Sequence, residues 1–382
     1  MKILHICSDY PYTSLYQQML LNYKCRDITH MMYVPLKKGS YADEKYRVVG
    51  NNAFVKYSYD YTEYDRLRYQ HKKKIIYNAI TKISEYKEIS LVHAHFLFGA
   101  GGVANEMLKN DNIKYVVAVR NTDLNMLMKY AIYLRKYILN VIEEASGIVF
   151  ISPLYKQKML KKYIPKSMIN SFQDKSIIVP NGIDDYWHKN INYRKRLISD
   201  TVNLLFVGEY TSNKNILSII SATNILRKKG YNVNLKLIGR GDQEDKINKL
   251  VTKYYKYINN KGYIANKEQL VCEYNEADIF IMPSYKETFG LVYIEALSQG
   301  LPIVYTKGQG VDGYYKDGEV GYACDPHNIN SIVKSVEKII NNYTEISYRC
   351  TVSLRKYKWS QICSTYEKLY RDILKKNAFA DE

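Results

Sequence analysis

No Cys-x-x-Cys pair occurs among the six cysteines, which are scattered over positions 7, 25, 272, 324, 350 and 363. That scatter excludes a zinc cage and a regular disulfide framework, and it suits reduced thiols in a cytosolic protein. No apolar run approaches the roughly 20 residues that cross a bilayer. The opening MKILHICSDY carries one lysine before a short β-rich run, so it is expected to form a first buried strand rather than a leader. Acidic residues are scarce: 38 Asp and Glu face 56 Lys and Arg, leaving a net charge of +18 and a pI near 9.3. Such an excess calls for an acidic partner, either a phosphorylated small molecule or an anionic membrane surface. Nucleic acid also fits the charge but ranks last and is not expected as a partner, because no RNA- or DNA-binding signature accompanies it.

What is present points to a folded chain with two cores. Its 382 residues exceed one ordinary domain, and 46% of them are hydrophobic. Tyrosine is abundant at 40, which reflects compositional bias more readily than carbohydrate stacking. The base excess leans to the N-terminal half, where residues 1–190 hold 28 Lys and Arg against 17 Asp and Glu. The runs HKKK (71–74), LRKY (134–137) and KQKMLKKYIPK (156–166) interleave bases with Tyr, Leu and Ile on expected helices. Basic helices of this kind are commonly solvated surfaces, and a minority dock on membranes.

Two similar series of elements follow one another. Strands are expected at 2–8, 31–36, 91–96, 115–120, 147–152 and 176–182, with helical stretches at 63–87, 102–109 and 124–145. A second series has strands at 202–209, 233–241, 256–264, 279–284, 302–306 and 320–325, again separated by helices. Continuous β-branched runs alternating with amphipathic helices indicate parallel sheets covered on both faces. The expected fold is therefore α/β: two facing Rossmann-like domains with a cleft between them, where ligands lie beyond the strand ends. The hinge is expected in the polar stretch 182–196. The domains are placed at 1–185, completed by the C-terminal helix 362–382, and at 186–361.

The stretch PSYKETFGLVYIEALSQGLP (283–302) carries two glutamates, Glu287 and Glu295, separated by seven residues. It is expected to run from a strand end through a loop into a helix closed by Gly300, with Pro302 just beyond. The helix start exposes unpaired amides and the positive end of the dipole, and Gly290 allows close approach. That arrangement suits a diphosphate. Eight positions along a helix rise about 12 Å, which fits two ends of one extended ligand. A glycosidase-like carboxylate pair needs a closer spacing, roughly 5 to 9.5 Å. Surface glutamates on an amphipathic helix are the plain alternative.

This stretch resembles the signature of the retaining GT-B glycosyltransferases of the group-1 family, with its Glu-seven-residues-Glu motif. LLFVGEYTSNKN (204–215), LIGRGDQ (237–243), ADIFIMPS (277–284), DGEVGYACDP (317–326), IIVPNGID (177–184), LVHAHFLFG (91–99) and VRNTD (119–123) are similar to further segments of that family. The resemblance implies a nucleotide-sugar donor and a glycan or lipid-linked acceptor, in bacterial surface polysaccharide synthesis. It implies that Glu287 contacts the donor sugar while the amides of Phe289, Gly290 and Leu291, with Lys214, hold the diphosphate. Glu295 then takes the ribose, and Ile264 and Arg240 flank the base. His95, Arg120 and Asp123 are expected to face the sugar and acceptor. No Asp-x-Asp occurs, in keeping with an expected site without metal or cofactor, in a cytoplasmic enzyme resting on the inner membrane face.

Two departures stand out. Glu209 occupies the place where the family usually has arginine, reversing a charge beside the diphosphate. SDYPYTSLYQQ (8–18) replaces the Gly-rich loop after the first strand. They keep a non-catalytic subunit of the same fold in view, alongside a nucleotide-sugar epimerase. His93 and His95 are expected on opposite faces of their strand, with nothing else completing a metal set. Arg120 and Asp123 could simply pair with each other. GAGGVA (99–104) fits a dinucleotide fingerprint with Asp123 about 20 residues on, the signature of an NAD-dependent oxidoreductase.

Overall fold

A computed structural model describes residues 1–40, 50, 52–193, 196–352 and 354–378. It divides into two compact units, Met1–Gly182 with Trp359–Glu382, and Ile183–Lys358. The first holds seven strands: β1 (Lys2–Ile6), β2 (Thr29–Lys37), β3 (Ala53–Tyr61), β4 (Ile89–Ala94), β5 (Tyr115–Val119), β6 (Gly147–Phe150) and β7 (Ser176–Ile178). The second holds β8 (Thr201–Val207), β9 (Asn232–Ile238), β10 (Ile258–Asn260), β11 (Ile279–Ile281), β12 (Ile303–Thr306) and β13 (Gly321–Cys324). Every pairing within both sheets is parallel, in the orders 3-2-1-4-5-6-7 and 10-9-8-11-12-13. The fold is α/β with two Rossmann-like domains.

Strand burial explains why these runs pair in parallel. β5 and β6 are buried along their whole length, as is β2 but for its end residues. A strand covered on both faces needs no polar side, and parallel crossovers supply the helices that cover it. β3, AFVKYSYDY, was not expected. It is an edge strand with only Ala53 buried, so its polar residues look like a loop. The expected single helix over 63–87 is two helices, Glu63–Leu67 and Tyr69–Thr81. The stretch 124–145 breaks into a π-turn (Asp123–Leu127), short turns, and a helix over Arg135–Glu144. Several strands end earlier than expected, such as β7 at Ile178, two residues before Pro180.

The C-terminal helix Trp359–Ala378 contributes Trp359, Ile362, Cys363, Tyr366, Tyr370 and Ile373 to the core of the first unit. A Cβ at Gly182 would lie 2.5 Å from the Trp359 ring, so only glycine allows that packing. No helix among the described residues is long and apolar enough to cross a membrane.

In each sheet the strand order reverses once, between β1 and β4 and between β8 and β11. Loops leaving the C-terminal ends of strands flanking such a point diverge and leave a crevice. In the second unit those loops are 208–215 and 282–290, and they carry the signature residues.

Candidate functional site

In the second unit the loop after β11 leads to the helix Leu291–Ser298 through Gly290, whose φ is +75°. A Cβ there would fall 2.5 Å from the Tyr293 ring, so left-handed backbone and crowding both demand glycine. The amides of Phe289, Gly290, Leu291 and Val292 donate to no protein acceptor among the described residues. Four consecutive free donors at the positive end of a helix form an anion cradle.

The loop after β8 is stitched to this one. Asn213 accepts from the Lys286 amide at 3.0 Å and donates to the Lys286 carbonyl at 2.8 Å. Asn215, buried and left-handed at φ +58°, donates to the carbonyls of Pro283 and Pro326. These bonds set the position of Lys214, whose Nζ lies 2.7 Å from Glu287 Oε2. Glu287, only 9% exposed, also accepts the Thr288 amide, and its own amide donates to Gln309 Oε1. The sequence alone did not single out Asn213, Asn215 or Gln309, because amide side chains that brace two loops carry no local signature.

Phe289 is buried, its ring edge-on to Tyr314 and Tyr357 at 5.8 Å each. It anchors the loop while its amide stays available. Glu295 lies one turn into the helix. Only positions from 291 onward are helical, so the continuous helical rise expected between the two glutamates does not apply. Burial pushes the Glu295 carboxyl up to about 7, with Lys267 opposing and Asp184 reinforcing that shift. Its carboxylate meets the Tyr274 hydroxyl at 3.5 Å.

Glu209, Arg240 and Ile264 do come together. They line a recess of about 470 Å³ with Gly208, Gly239, Gly241, Glu244 and Tyr263. A Cβ at Gly239 would sit 1.9 Å from the Gly208 carbonyl oxygen, so the close approach of the two loops forming this recess requires glycine. The Arg240 guanidinium lies 4.5 Å over the Tyr263 ring. Tyr263 and Glu244 were not anticipated.

In the first unit His95 is fully buried. Its Nε2 meets His5 Nδ1 at 3.0 Å, and His5 Nε2 meets His30 Nδ1 at 2.9 Å. His93 stacks on His95 with ring centroids 4.2 Å apart. The two therefore share a face, correcting the expectation of opposite faces: residues two apart on a strand point the same way. Tyr16 closes over His95, edge-on at 5.0 Å, so its ring is covered instead of reaching a ligand. His5, His93 and His95 offer nitrogens within 4.8 Å of one another, a set of three the sequence was expected to lack. His93 and His5 each stack on His95, at 22° and 20°, while the His5 and His93 rings tilt by 42° to each other.

Asp123, buried, accepts the amides of Leu97, Phe98 and Arg120. Burial raises its carboxyl to about 6 against those three bonds. Arg120 directs Nε to the His95 carbonyl at 3.2 Å, so the two residues meet through a backbone amide, not as an ion pair. Gly101 and Gly102 of the GAGGVA motif serve packing. A Cβ at Gly102 would lie 2.0 Å from the Tyr69 hydroxyl and 2.1 Å from that of Tyr137, and the motif follows β4, the fourth strand, not the first. The dehydrogenase alternative loses its phosphate cradle there.

Two Rossmann-like units, with an amide cradle and a lysine–glutamate couple at the switch point of the second, suit an enzyme that binds an anionic substrate. Comparison with known proteins specifies it. Residues 189–356 match the family described as glycosyl transferases group 1. That segment belongs to the family, and the chain is a glycosyltransferase. It is 24% identical over 309 residues to the alpha-monoglucosyldiacylglycerol synthase of Acholeplasma laidlawii, covering 76% of this chain and 77% of that one. Among solved structures it superposes on the lipopolysaccharide outer core galactosyltransferase WaaB with a TM-score of 0.74, 14% identity and coverage of 97% and 99%. It superposes on Anabaena HepE, solved with UDP, with a TM-score of 0.70, 16% identity and coverage of 97% and 100%. These likenesses establish the GT-B fold.

Proposed function

We propose that the protein transfers a sugar, with retention of anomeric configuration, from a nucleoside diphosphate sugar to a glycan or lipid-linked acceptor in surface polysaccharide synthesis. The observation that carries this reading is the Lys214–Glu287 contact of 2.7 Å beside four unpaired amides. A diphosphate on the amides of Phe289 to Val292 meets the Lys214 ammonium, and Glu287, released from that ammonium, turns to the sugar hydroxyls. The departing diphosphate gains charge as the glycosidic bond breaks. Fixed amides and one lysine stabilise that charge without reorganising, so the reading needs no metal. The base is assigned to the recess of Arg240, Tyr263 and Ile264, with the ribose on Glu295. A carboxylate grips vicinal hydroxyls only when ionised.

The acceptor is assigned to the first unit through Arg120, with Asp123 and His95 as positioning residues behind it. The galactosyltransferase and glycolipid-synthase relatives support surface glycan or glycolipid chemistry, and the UDP complex of HepE supports a uridine nucleotide donor. The membrane face is the expected place of work.

A thermal-shift screen with UDP, GDP and their sugars tests the donor assignment, because a ligand that binds only the folded state raises the melting temperature. UDP should stabilise the wild type and not Lys214→Ala. A shift that survives in Lys214→Ala and in Gly290→Val together would move the diphosphate elsewhere. Product anomer, read by NMR, tests retention, and an EDTA-insensitive rate tests independence of metal.

A further inference from the structure

We propose that Gln309 is a specificity-determining residue for the donor sugar, a role that rests on the transferase reading above. It lies in the loop KGQGVDG (307–313), which leaves the C-terminal end of β12. Glycines flank it, with φ of +76° at Gly308 and +58° at Gly310. A Cβ at Gly308 would meet open space, so that glycine serves the left-handed backbone alone. A Cβ at Gly310 would crowd Glu287 Cγ at 3.1 Å and the Phe289 carbonyl at 3.2 Å. The turn is closed from within. The Gln309 amide donates to the Thr306 carbonyl at 3.3 Å, and its carbonyl accepts the Asp312 amide at 3.1 Å. The Gly308 amide donates to the Asp312 carboxylate at 2.6 Å. This braced turn holds the backbone of Glu287 on both sides: its carbonyl accepts the Gly310 amide at 3.1 Å, and its amide donates to Gln309 Oε1 at 3.3 Å.

One polar group of Gln309 is left over. Its main chain is bonded at both ends and Oε1 is committed, whereas Nε2 donates to no protein acceptor among the described residues. A half-buried amide fixed at its oxygen offers N–H donors whose position follows that of Glu287. The Glu287 carboxylate, by contrast, can only accept: Oε1 takes the Thr288 amide and Oε2 meets Lys214. A sugar hydroxyl that gives its one hydrogen to Glu287 still carries lone pairs, and leaving them unmet on a desolvated group weakens binding. In that complex Lys214 is drawn to the diphosphate. The Gln309 amide is the neutral donor anchored on Glu287 itself. Acceptor and donor together match a sugar hydroxyl, or a hydroxyl beside an N-acetyl carbonyl, on the transferred ring. A site built to bond such a group rejects a sugar that lacks it.

Calorimetry on the full chain with UDP, UDP-glucose and UDP-N-acetylglucosamine tests this. Gln309→Glu keeps an oxygen for the Glu287 amide and replaces the N–H donor by an acceptor. Gln309→Met keeps the length and removes both. In each variant UDP should bind within about threefold of wild type, while at least one sugar nucleotide weakens about tenfold more than UDP does. Melting temperatures separate this from bracing: a purely structural residue would lose stability in Gln309→Met and leave Gln309→Glu like wild type. Repulsion between carboxylates would spare Gln309→Met. A sugar-to-UDP affinity ratio that stays unchanged in either variant therefore overturns the proposal and leaves the donor reading intact. A wild type that binds neither UDP nor a sugar nucleotide fails the donor reading, and the Gln309 assignment with it.

Discussion

Lys214 and Glu287 answer each other's charge in the ligand-free site, and that exchange governs what substitutions do. Lys214→Ala should weaken UDP by about 1.5–3 kcal/mol, the worth of a hydrogen bond to a charged group, as isothermal calorimetry would read. Glu287→Gln should leave UDP within about threefold while sugar transfer falls about 100-fold or more. A variant that lost both equally would place Glu287 on the phosphates. Glu209→Arg removes a carboxylate from the recess and restores a cation, so UDP should bind about fivefold tighter. Unchanged affinity would remove the diphosphate from its neighbourhood. Glu295 carries a pH signature. Its folded pKa of about 7 exceeds the ordinary 4.5, so the fold favours the protonated form. Its contribution to stability is then greatest below pH 4.5 and is lost as pH rises through 7, about 3 kcal/mol in all. UDP affinity should move oppositely, rising through pH 7 as the carboxylate ionises. Glu295→Gln should flatten both curves, in denaturant titrations and in calorimetry.

At the scale of elements, function depends on how two loops are pinned. The 211–215 turn is held by Asn213 and Asn215 to the backbone of the 283–287 loop, and Gly290 starts the helix with left-handed backbone. Gly290→Ala adds a left-handed residue, costing about 1–2 kcal/mol, and drives Cβ into Tyr293. It should lower the melting temperature and abolish UDP stabilisation together, since the cradle amides turn with the helix start. Strands and long helices were legible because apolar periodicity is a local property. The glycine, the glutamate pair and the lysine were legible because their spacing within a loop is fixed by the chain. The edge strand β3 was not legible, because half-exposed residues have no reason to be apolar. Nor were the breaks in 124–145, where a π-turn depends on what packs beneath it.

For the whole molecule, the four buried histidines of the first unit set its acid limit. Burial pushes His30 and His93 down to about 3, and His5 and His95 lie well below the ordinary 6.5. A base held neutral in the fold is stabilising above 6.5 and loses that stability as pH falls toward its folded value. As pH falls below 6.5 the unfolded state gains protons that these buried rings refuse, so each ring gives up stability. All four shifts act in the same direction. The first unit should therefore unfold on acidification before the second, as hydrogen exchange followed by mass spectrometry would show. His30→Gln should lower the pH of that transition. Equal protection loss in both units would contradict it.

From the sequence alone came the two parallel sheets, the helix after β11 and the Glu287–Glu295 spacing, because each rests on residues close along the chain. Tertiary structure decided which groups meet. It sealed His95 under Tyr16 and His93, spent Asp123 on the amides of residues 97, 98 and 120, and brought Lys214 to Glu287 across 73 positions. Distance along the chain carries no record of which buried polar atoms find one another. That pairing is set only when both loops are folded and each must satisfy its hydrogen bonds.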